Sequence, residues 1–189
     1  MTGTLRSAIA ELVGTFVFVF AIIGAVNSGS PFTPLAIGFA LMIMVYATGH
    51  ISGAHLNPAV TIGLYTDSMM AGGSMGIDQV VVYLAGEMVG AMIGATLVLI
   101  HYWDHFKITE DQGLKLAVFS TGPNIRNYAL NFVSEVIGTF VLVFVVIAFG
   151  ANAGLAGLGP LSVALLVFSI GMSLGGTTGY AINPARDLG

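Results

Sequence analysis

Charged residues are scarce in this chain of 189 residues, and cysteine is absent. Lys, Arg, Asp and Glu make up 7% of the sequence, whereas a water-soluble domain carries roughly 25%. So few charges exclude a water-facing surface over most of the chain, and the net charge of −4 gives no basic footprint for nucleic acid. The lack of cysteine excludes disulfides and thiolate metal sites.

Long apolar stretches are what the chain has instead. Hydrophobic residues make up 56% of it, and its mean hydropathy is +0.94. Five stretches reach the roughly 20 residues needed to cross a bilayer, near 8–27, 34–52, 79–101, 130–151 and 160–177. The longest connection, 101–126, is predicted to be a polar loop. The sequence therefore predicts an all-α, multi-pass membrane protein whose first apolar stretch is a retained span rather than a cleaved signal peptide.

The triplet Asn-Pro-Ala occurs twice in this apolar sequence, as Asn57, Pro58 and Ala59 and as Asn183, Pro184 and Ala185. Asparagine is a good N-cap and proline fits the first helical position, so each triplet predicts the start of a helix. A helix that begins inside a membrane leaves N–H groups that only a water-filled passage can satisfy. The two triplets are therefore candidates for the centre of a pore.

The chain also repeats itself. Residues 10–20 (AELVGTFVFVF) match residues 134–144 (SEVIGTFVLVF) at an offset of 124, and the two Asn-Pro-Ala asparagines are 126 positions apart. Each unit is a span, a span and a half-helix, with three spans between the half-helices, which predicts an inverted repeat. We expect repeat 1 at about 8–101 and repeat 2 at about 130–189, within a single channel domain at 1–189.

A half-helix from Asn57 to about Thr66 would rise roughly 15 Å, half the hydrocarbon thickness. Two such helices entering from opposite sides would meet at the midplane, each with its positive dipole end. The segments before them are predicted to be extended, with carbonyls facing the lumen from Gly53, Ala54, His55, Leu56, Gly179, Tyr180, Ala181 and Ile182. Central donors flanked by acceptors suit a neutral hydroxylated solute and oppose cations and proton hopping.

Residues 49–61 (GHISGAHLNPAVT) and 179–187 (GYAINPARD) resemble the two signature loops of the aquaporin family, the major intrinsic proteins. The resemblance covers nearly the whole chain. It implies an aquaporin-like inverted repeat, of which this chain would hold five full spans and two half-helices. By internal symmetry, we expect about 40 residues with a sixth span to be missing, so that the chain is a fragment of a longer reading frame and conducts poorly alone.

The resemblance further implies a homotetramer in the cell's plasma membrane, with one pore in each subunit and no cofactor. It places the N-terminus in the cytoplasm and the 101–126 loop outside. The basic residues of that loop would favour the reverse orientation by the positive-inside rule, so charge alone leaves orientation open.

A narrow filter is implied at Ile37, Gly171, Tyr180 and Arg186. Gly171 stands at the position where water-selective members of the family usually have histidine, so the glycine removes bulk from the filter. The Tyr180 ring offers a flat wall, and Arg186 offers hydrogen-bond donors to hydroxyl groups. Asp187 is a marker that resembles the glycerol branch, as does the segment 119–123 (FSTGP).

Three features depart from the glycerol branch. Ile37 stands where glycerol facilitators typically have tryptophan, and Tyr180 stands where phenylalanine is commoner. The first signature loop, with His50, is closer to the water branch. We predict a passive channel for glycerol, other small polyols and water that excludes ions and protons. A water-selective channel and a non-conducting structural membrane protein of the same fold are the alternatives.

Three carboxylates lie within the apolar spans. Glu11 and Glu135 are expected to be structural acceptors for loop N–H groups. Glu87 stands where the family more often resembles glutamine, and two alternatives are open for it: a protonated, hydrogen-bonded group or a lumen-facing one.

No metal site or enzyme is predicted. The spacing of His50, His101 and His105 and their lack of carboxylate partners argue against a metal. The spans hold no paired aspartates and no serine–histidine pair at catalytic spacing. Finally, Gly86, Gly90 and Gly94 form a small-residue stripe that predicts a close helix–helix contact.

Overall fold

The computed structural model describes residues 3–155 and 157–189, in which the regular structure is helical. The nine α-helices of the described residues are α1 Gly3–Asn27, α2 Thr33–Ser52, α3 Pro58–Met70, α4 Ile77–His101, α5 Trp103–Ile108, α6 Gln112–Phe119, α7 Tyr128–Gly150, α8 Gly159–Thr178 and α9 Pro184–Leu188. A short 3-10 turn covers Ala153–Leu155.

Five of these helices, α1, α2, α4, α7 and α8, are long and apolar enough to cross a membrane. They confirm the five predicted spans. Four of them begin and end within two residues of the predicted bounds, and α1 begins five residues early, at Gly3. The first turn of α1 is polar, so hydropathy alone placed its start too late. The protein is therefore a multi-pass integral membrane protein.

The connection from α4 to α7 differs from the predicted polar loop because it contains two short helices, α5 and α6. Asp111 caps α6, since its Oδ1 accepts hydrogen bonds from the N–H groups of Gly113 (2.7 Å) and Leu114 (3.2 Å). Val118 is buried against the ends of α1 and α4. Through this contact α6 fixes the path of residues 119–123, which start at its last residue.

Helices α1 and α4 pack closely, as the glycine stripe predicted. A β-carbon at Gly86 would lie 2.8 Å from the carbonyl oxygen of Ala8, and one at Gly94 would lie 2.7 Å from that of Phe16. Midway between them, a β-carbon at Gly90 would collide with the carbonyl oxygen of Leu12. The two backbones therefore touch over two helical turns, which only glycine allows at these three positions.

The counterpart of α1 in the second repeat, α7, does not have such a contact in the described residues. Phe132, Val136, Phe140 and Phe144 stand at the repeat-matched positions of Ala8, Leu12, Phe16 and Phe20, and all four are exposed. The two repeats thus have the same helix order but differ in how their first spans are packed.

Candidate functional site

The half-helices α3 and α9 begin at the two Asn-Pro-Ala triplets, and each is capped by its asparagine. Asn57 Oδ1 accepts a hydrogen bond from Ala59 N (2.9 Å). Asn183 Oδ1 accepts from Ala185 N (3.0 Å) and Arg186 N (3.2 Å). The caps satisfy part of the free N–H groups at each helix start.

The two helix starts meet inside the protein and are tied together by their asparagines. Asn57 Nδ2 donates to the carbonyl oxygen of Ile182, and Asn183 Nδ2 donates to that of Leu56, each at 2.9 Å. Because an amide nitrogen carries two hydrogens, each asparagine has one further N–H group, and both residues line the central cavity. The two asparagine side chains thus bring two N–H donors to the wall of the same cavity.

The two segments before the half-helices are irregular, but they are not simply extended as expected. Ala54 (φ 51°), Leu56 (φ 52°), Tyr180 (φ 45°) and Ile182 (φ 35°) are left-handed residues other than glycine. Gly53 and Gly179, at the start of the two segments, also have positive φ (93° and 80°), and the capping residues Asn57 and Asn183 that follow the segments are extended. Left-handed residues other than glycine cost about 1 kcal/mol or more each, so the surrounding structure must hold them.

Two carboxylates hold these segments, Glu11, which is buried, and Glu135, which is half-buried. Glu11 Oε1 accepts from His55 N (3.0 Å) and from the Ser52 hydroxyl (2.6 Å), and its Oε2 accepts from Leu56 N (2.7 Å). Glu11 is wholly buried. The N–H groups are thereby drawn away from the cavity.

Glu135 repeats this arrangement in the second half. Its Oε1 accepts from Ala181 N (3.0 Å) and from the Thr178 hydroxyl, and its Oε2 accepts from Ile182 N (2.9 Å). The hydroxyl donors Ser52 and Thr178 were missed from the sequence, although they stand at matched positions of the repeat. A hydroxyl residue directly before the glycine of each signature loop is the signal that could have identified them.

A cavity of about 410 Å³ runs past both asparagines. Most of its wall is apolar, from α1, α2, α7 and α8, and Arg186 is the one residue of fixed charge that lines it in the described part of the chain. All eight residues of the two irregular segments contribute to the lining: Gly53, Ala54, His55, Leu56, Gly179, Tyr180, Ala181 and Ile182.

Three of the four filter candidates, Ile37, Tyr180 and Arg186, also line this cavity, and Gly171 lies behind Tyr180. A β-carbon at Gly171 would lie 2.8 Å from Tyr180 Cζ, and one at Gly175 would lie 2.7 Å from Tyr180 Cδ1. The aromatic ring therefore fills the space that the two glycines leave on α8. The sequence predicts that Gly171 removes bulk from the filter, and in the structure its direct effect is to make room for the ring.

Arg186 is held from outside the half-helix by the segment after α6. Its Nη1 donates to the carbonyl oxygen of Phe119 (2.6 Å) and lies 3.6 Å from Asp187 Oδ1. The same Oδ1 accepts a hydrogen bond from Thr121 N (2.7 Å). Asp187, expected from the sequence only as a marker, thus links residues 119–123 to the arginine.

We expect Asp187→Ala to loosen this segment without unfolding the protein. Loss of a hydrogen bond to a carboxylate costs about 1.5 kcal/mol or more, so the Thr121 amide should exchange its hydrogen about tenfold faster. Hydrogen–deuterium exchange of the peptide covering 119–123 measures this. Asp104→Ala is the control, because Asp104 is exposed and pairs only with Lys107 in the described structure. Equal exchange in both variants would contradict the role of Asp187.

Glu87 is fully buried on α4, where its Oε1 accepts a hydrogen bond from the Thr61 hydroxyl at 2.6 Å. It does not line the cavity. Of the two alternatives for this residue, the lumen-facing one is therefore wrong.

Comparison with known proteins agrees with this geometry. A family profile described as "Major intrinsic protein" matches residues 1–189. The chain is 45% identical over 192 aligned positions to glycerol uptake facilitator protein 3 of Lactiplantibacillus plantarum, which covers 96% of this chain and 78% of that protein. It is 54% identical over 152 positions to the glycerol uptake facilitator protein of Bacillus subtilis, covering 80% of this chain and 54% of the relative.

A solved structure has the same fold. The X-ray structure of the aquaglyceroporin from Plasmodium falciparum superimposes with a TM-score of 0.83 at 30% identity, covering 98% of this chain and 78% of that one. The chain thus spans about half of the Bacillus subtilis relative and about four-fifths of the other two proteins. The profile match, the relatives and the paired Asn-Pro-Ala helices together show that the chain belongs to the major intrinsic protein family.

Proposed function

We propose that this protein is a passive transmembrane channel for small neutral solutes, namely glycerol, other small polyols and water, and that it is not an enzyme. One observation carries the proposal. The two capped helix starts meet in the wall of one cavity, where reciprocal hydrogen bonds from their asparagines hold them together. The relatives named as glycerol uptake facilitators and the structural neighbour named as an aquaglyceroporin support glycerol as a solute.

The electrostatics of this site favour neutral solutes over cations. Each half-helix directs the positive end of its dipole, equivalent to roughly half a charge, at the asparagine pair. Arg186 adds a full positive charge to the same cavity. Since no acidic side chain lines the cavity in the described residues, a cation would lose its hydration without gaining a counter-charge. The same field opposes proton hopping.

The proposed selectivity filter consists of Ile37, Tyr180 and Arg186, with Gly171 as the residue that accommodates the Tyr180 ring. A polyol has an apolar C–H side and a hydroxyl side. The apolar side fits against Ile37 and the aromatic ring, while Arg186 and the asparagine amides donate to the hydroxyl oxygens. The carbonyls of residues 53–56 and 179–182 are proposed to accept from the same hydroxyl hydrogens.

Reconstitution of the purified chain into liposomes tests the proposal. Stopped-flow light scattering should detect weak but measurable glycerol and water flux above that of empty liposomes, while planar bilayers containing the protein should show no ionic conductance. Water flux without glycerol flux would favour the water-selective alternative. Absence of both fluxes would favour the non-conducting structural alternative, and ionic conductance would contradict the electrostatic argument.

We also propose a homotetramer in the plasma membrane with a separate passage in each subunit, on the strength of the family resemblance. Native mass spectrometry from detergent micelles measures the number of subunits directly. A monomer or dimer under conditions that preserve glycerol flux would contradict the tetramer while leaving the channel proposal intact.

A further inference from the structure

A chain of hydrogen-bonded polar groups lies beside the first half-helix and reaches the cavity wall at His55. It runs from Glu87 on α4 through Thr61 on α3 to the imidazole of His55. Glu87 and Thr61 are both wholly buried. The sequence marked Glu87 as unusual for the family, and the channel chemistry above does not use it.

The hydrogens of this chain can be counted. The Thr61 hydroxyl has one hydrogen, which it donates to Glu87 Oε1 over 2.6 Å. This direction requires that Oε1 carries no proton, so Glu87 is either ionised or protonated on Oε2. Thr61 Oγ1 also lies 2.9 Å from His55 Nδ1. With its only hydrogen given to the carboxylate, Thr61 can only accept from the imidazole. His55 Nδ1 must therefore carry the ring hydrogen.

The second ring nitrogen then has no hydrogen in the neutral imidazole. His55 lines the cavity and is partly exposed, and Nε2 has no hydrogen-bond donor among the described residues. The ring is fixed edge-on against Tyr83, with centroids 5.0 Å apart. Its edge runs close to Gly53, where a β-carbon would lie 3.4 Å from Nε2.

We propose that Glu87, acting through Thr61, is a positioning residue that holds His55 in the Nδ1–H tautomer, so that Nε2 is a hydrogen-bond acceptor in the wall of the passage. If Glu87 did not accept from Thr61, the threonine hydrogen would be free to point at Nδ1, and the imidazole would carry its hydrogen on Nε2. The wall at His55 would then be a donor. Glu87, which does not line the cavity, thus determines whether His55 Nε2 is a donor or an acceptor.

The effect on solutes rests on the proposed channel function. A hydroxyl group can either donate or accept, so glycerol tolerates both forms of the wall. Urea has two NH2 groups that donate and one carbonyl oxygen that accepts, so it gains more from an acceptor in the wall than from a donor. The acceptor form of His55 should therefore help urea more than glycerol.

Nuclear magnetic resonance of the reconstituted full chain, with 15N-labelled histidine at pH 8, tests the tautomer directly. The His55 signals are identified by their loss in His55→Asn. In the unmodified chain we expect a protonated Nδ1 and an unprotonated Nε2. Glu87→Met keeps the length of the side chain but removes the acceptor, and should move the hydrogen to Nε2. Glu87→Gln keeps an acceptor oxygen and should restore the original tautomer.

A protonated Nε2 in the unmodified chain would overturn the proposal even if no variant folds. An unchanged tautomer in Glu87→Met would also overturn it. In liposomes, the urea-to-glycerol flux ratio should fall about fivefold in Glu87→Met, which is the size expected for the loss of one hydrogen bond. The ratio should stay unchanged in Glu87→Gln. Failure of the channel proposal would appear separately, as absence of glycerol flux in the unmodified chain, with the tautomer still measured by resonance.

Discussion

Replacing Gly90 with alanine is expected to destabilise the protein by about 3 kcal/mol or more, because overpacking against backbone is relieved only by moving a helix. A β-carbon at Gly90 would overlap the carbonyl oxygen of Leu12 and lie 3.0 Å from Phe16 N. No side-chain rotation can relieve a clash with main-chain atoms. Helices α1 and α4 would have to separate along the stripe formed by Gly86, Gly90 and Gly94.

This separation should also reach the passage, since α1 carries Glu11. The Glu11 side chain holds the N–H groups of His55 and Leu56 on the cavity wall. If α1 moves away from α4, this carboxylate moves relative to the loop and the left-handed residues lose support. Gly90→Ala should therefore lower glycerol flux per folded molecule as well as stability.

Thermal unfolding in detergent, followed by loss of the monodisperse peak in size-exclusion chromatography, measures the first effect. For a chain of this size, a loss of 3 kcal/mol lowers the midpoint by about 10 °C. The control is Gly24→Ala on α1, where a β-carbon would have no neighbour within 4 Å. It should leave the midpoint unchanged or raise it slightly, because alanine favours helix. Equal midpoints for the two variants would contradict the close contact.

The features that the sequence predicted correctly are those set by composition and local pattern. Five spans follow from apolar length, and the starts of α3 and α9 follow from Asn-Pro, because capping is a local effect. The glycine stripe on α4 was likewise visible as a period of four. Each of these depends on residues within one or two turns of each other, which a single sequence displays directly.

The features that were missed depend on contacts between distant segments. Left-handed backbone at Ala54 and Leu56 has no local signal, because alanine and leucine avoid that conformation unless other residues impose it. Here Glu11, more than 40 positions away, does so. The hydrogen bond from Thr121 to Asp187 joins residues 66 positions apart. The helices α5 and α6 were missed because, at six and eight residues, they are too short to show a helical pattern in the sequence.

Gly171 shows how the effect of one residue can depend on a neighbour in space that the sequence does not connect to it. The sequence predicted that a glycine widens the passage by lacking a side chain. The structure shows that the space is occupied by the ring of Tyr180. The width of the passage beside α8 is therefore set by Gly171 and Tyr180 together. A larger residue at either position would collide with the other.

The double variant Gly171→His/Tyr180→Thr is therefore expected to restrict glycerol strongly while sparing water. The imidazole takes the space that the tyrosine ring leaves, and it extends further from the helix than glycine does. We expect glycerol flux to fall about tenfold or more, equivalent to about 1.4 kcal/mol at the filter, and water flux to stay within about twofold. Both fluxes are measured by light scattering on the same liposomes.

Single variants separate width from loss of fold. Tyr180→Thr alone removes the ring and adds nothing, so glycerol flux should be maintained or raised. Gly171→Ala alone pushes a β-carbon into the ring, whose Cζ would be 2.8 Å away, so the ring must move into the cavity and glycerol flux should fall. Gly176→Ala, on the open side of α8 with no atom within 4 Å of the added carbon, should leave both fluxes unchanged. A narrowed passage at Tyr180 should slow glycerol more than water, because glycerol is the wider solute. If the double variant slows both solutes equally, the narrowest point of the passage lies elsewhere.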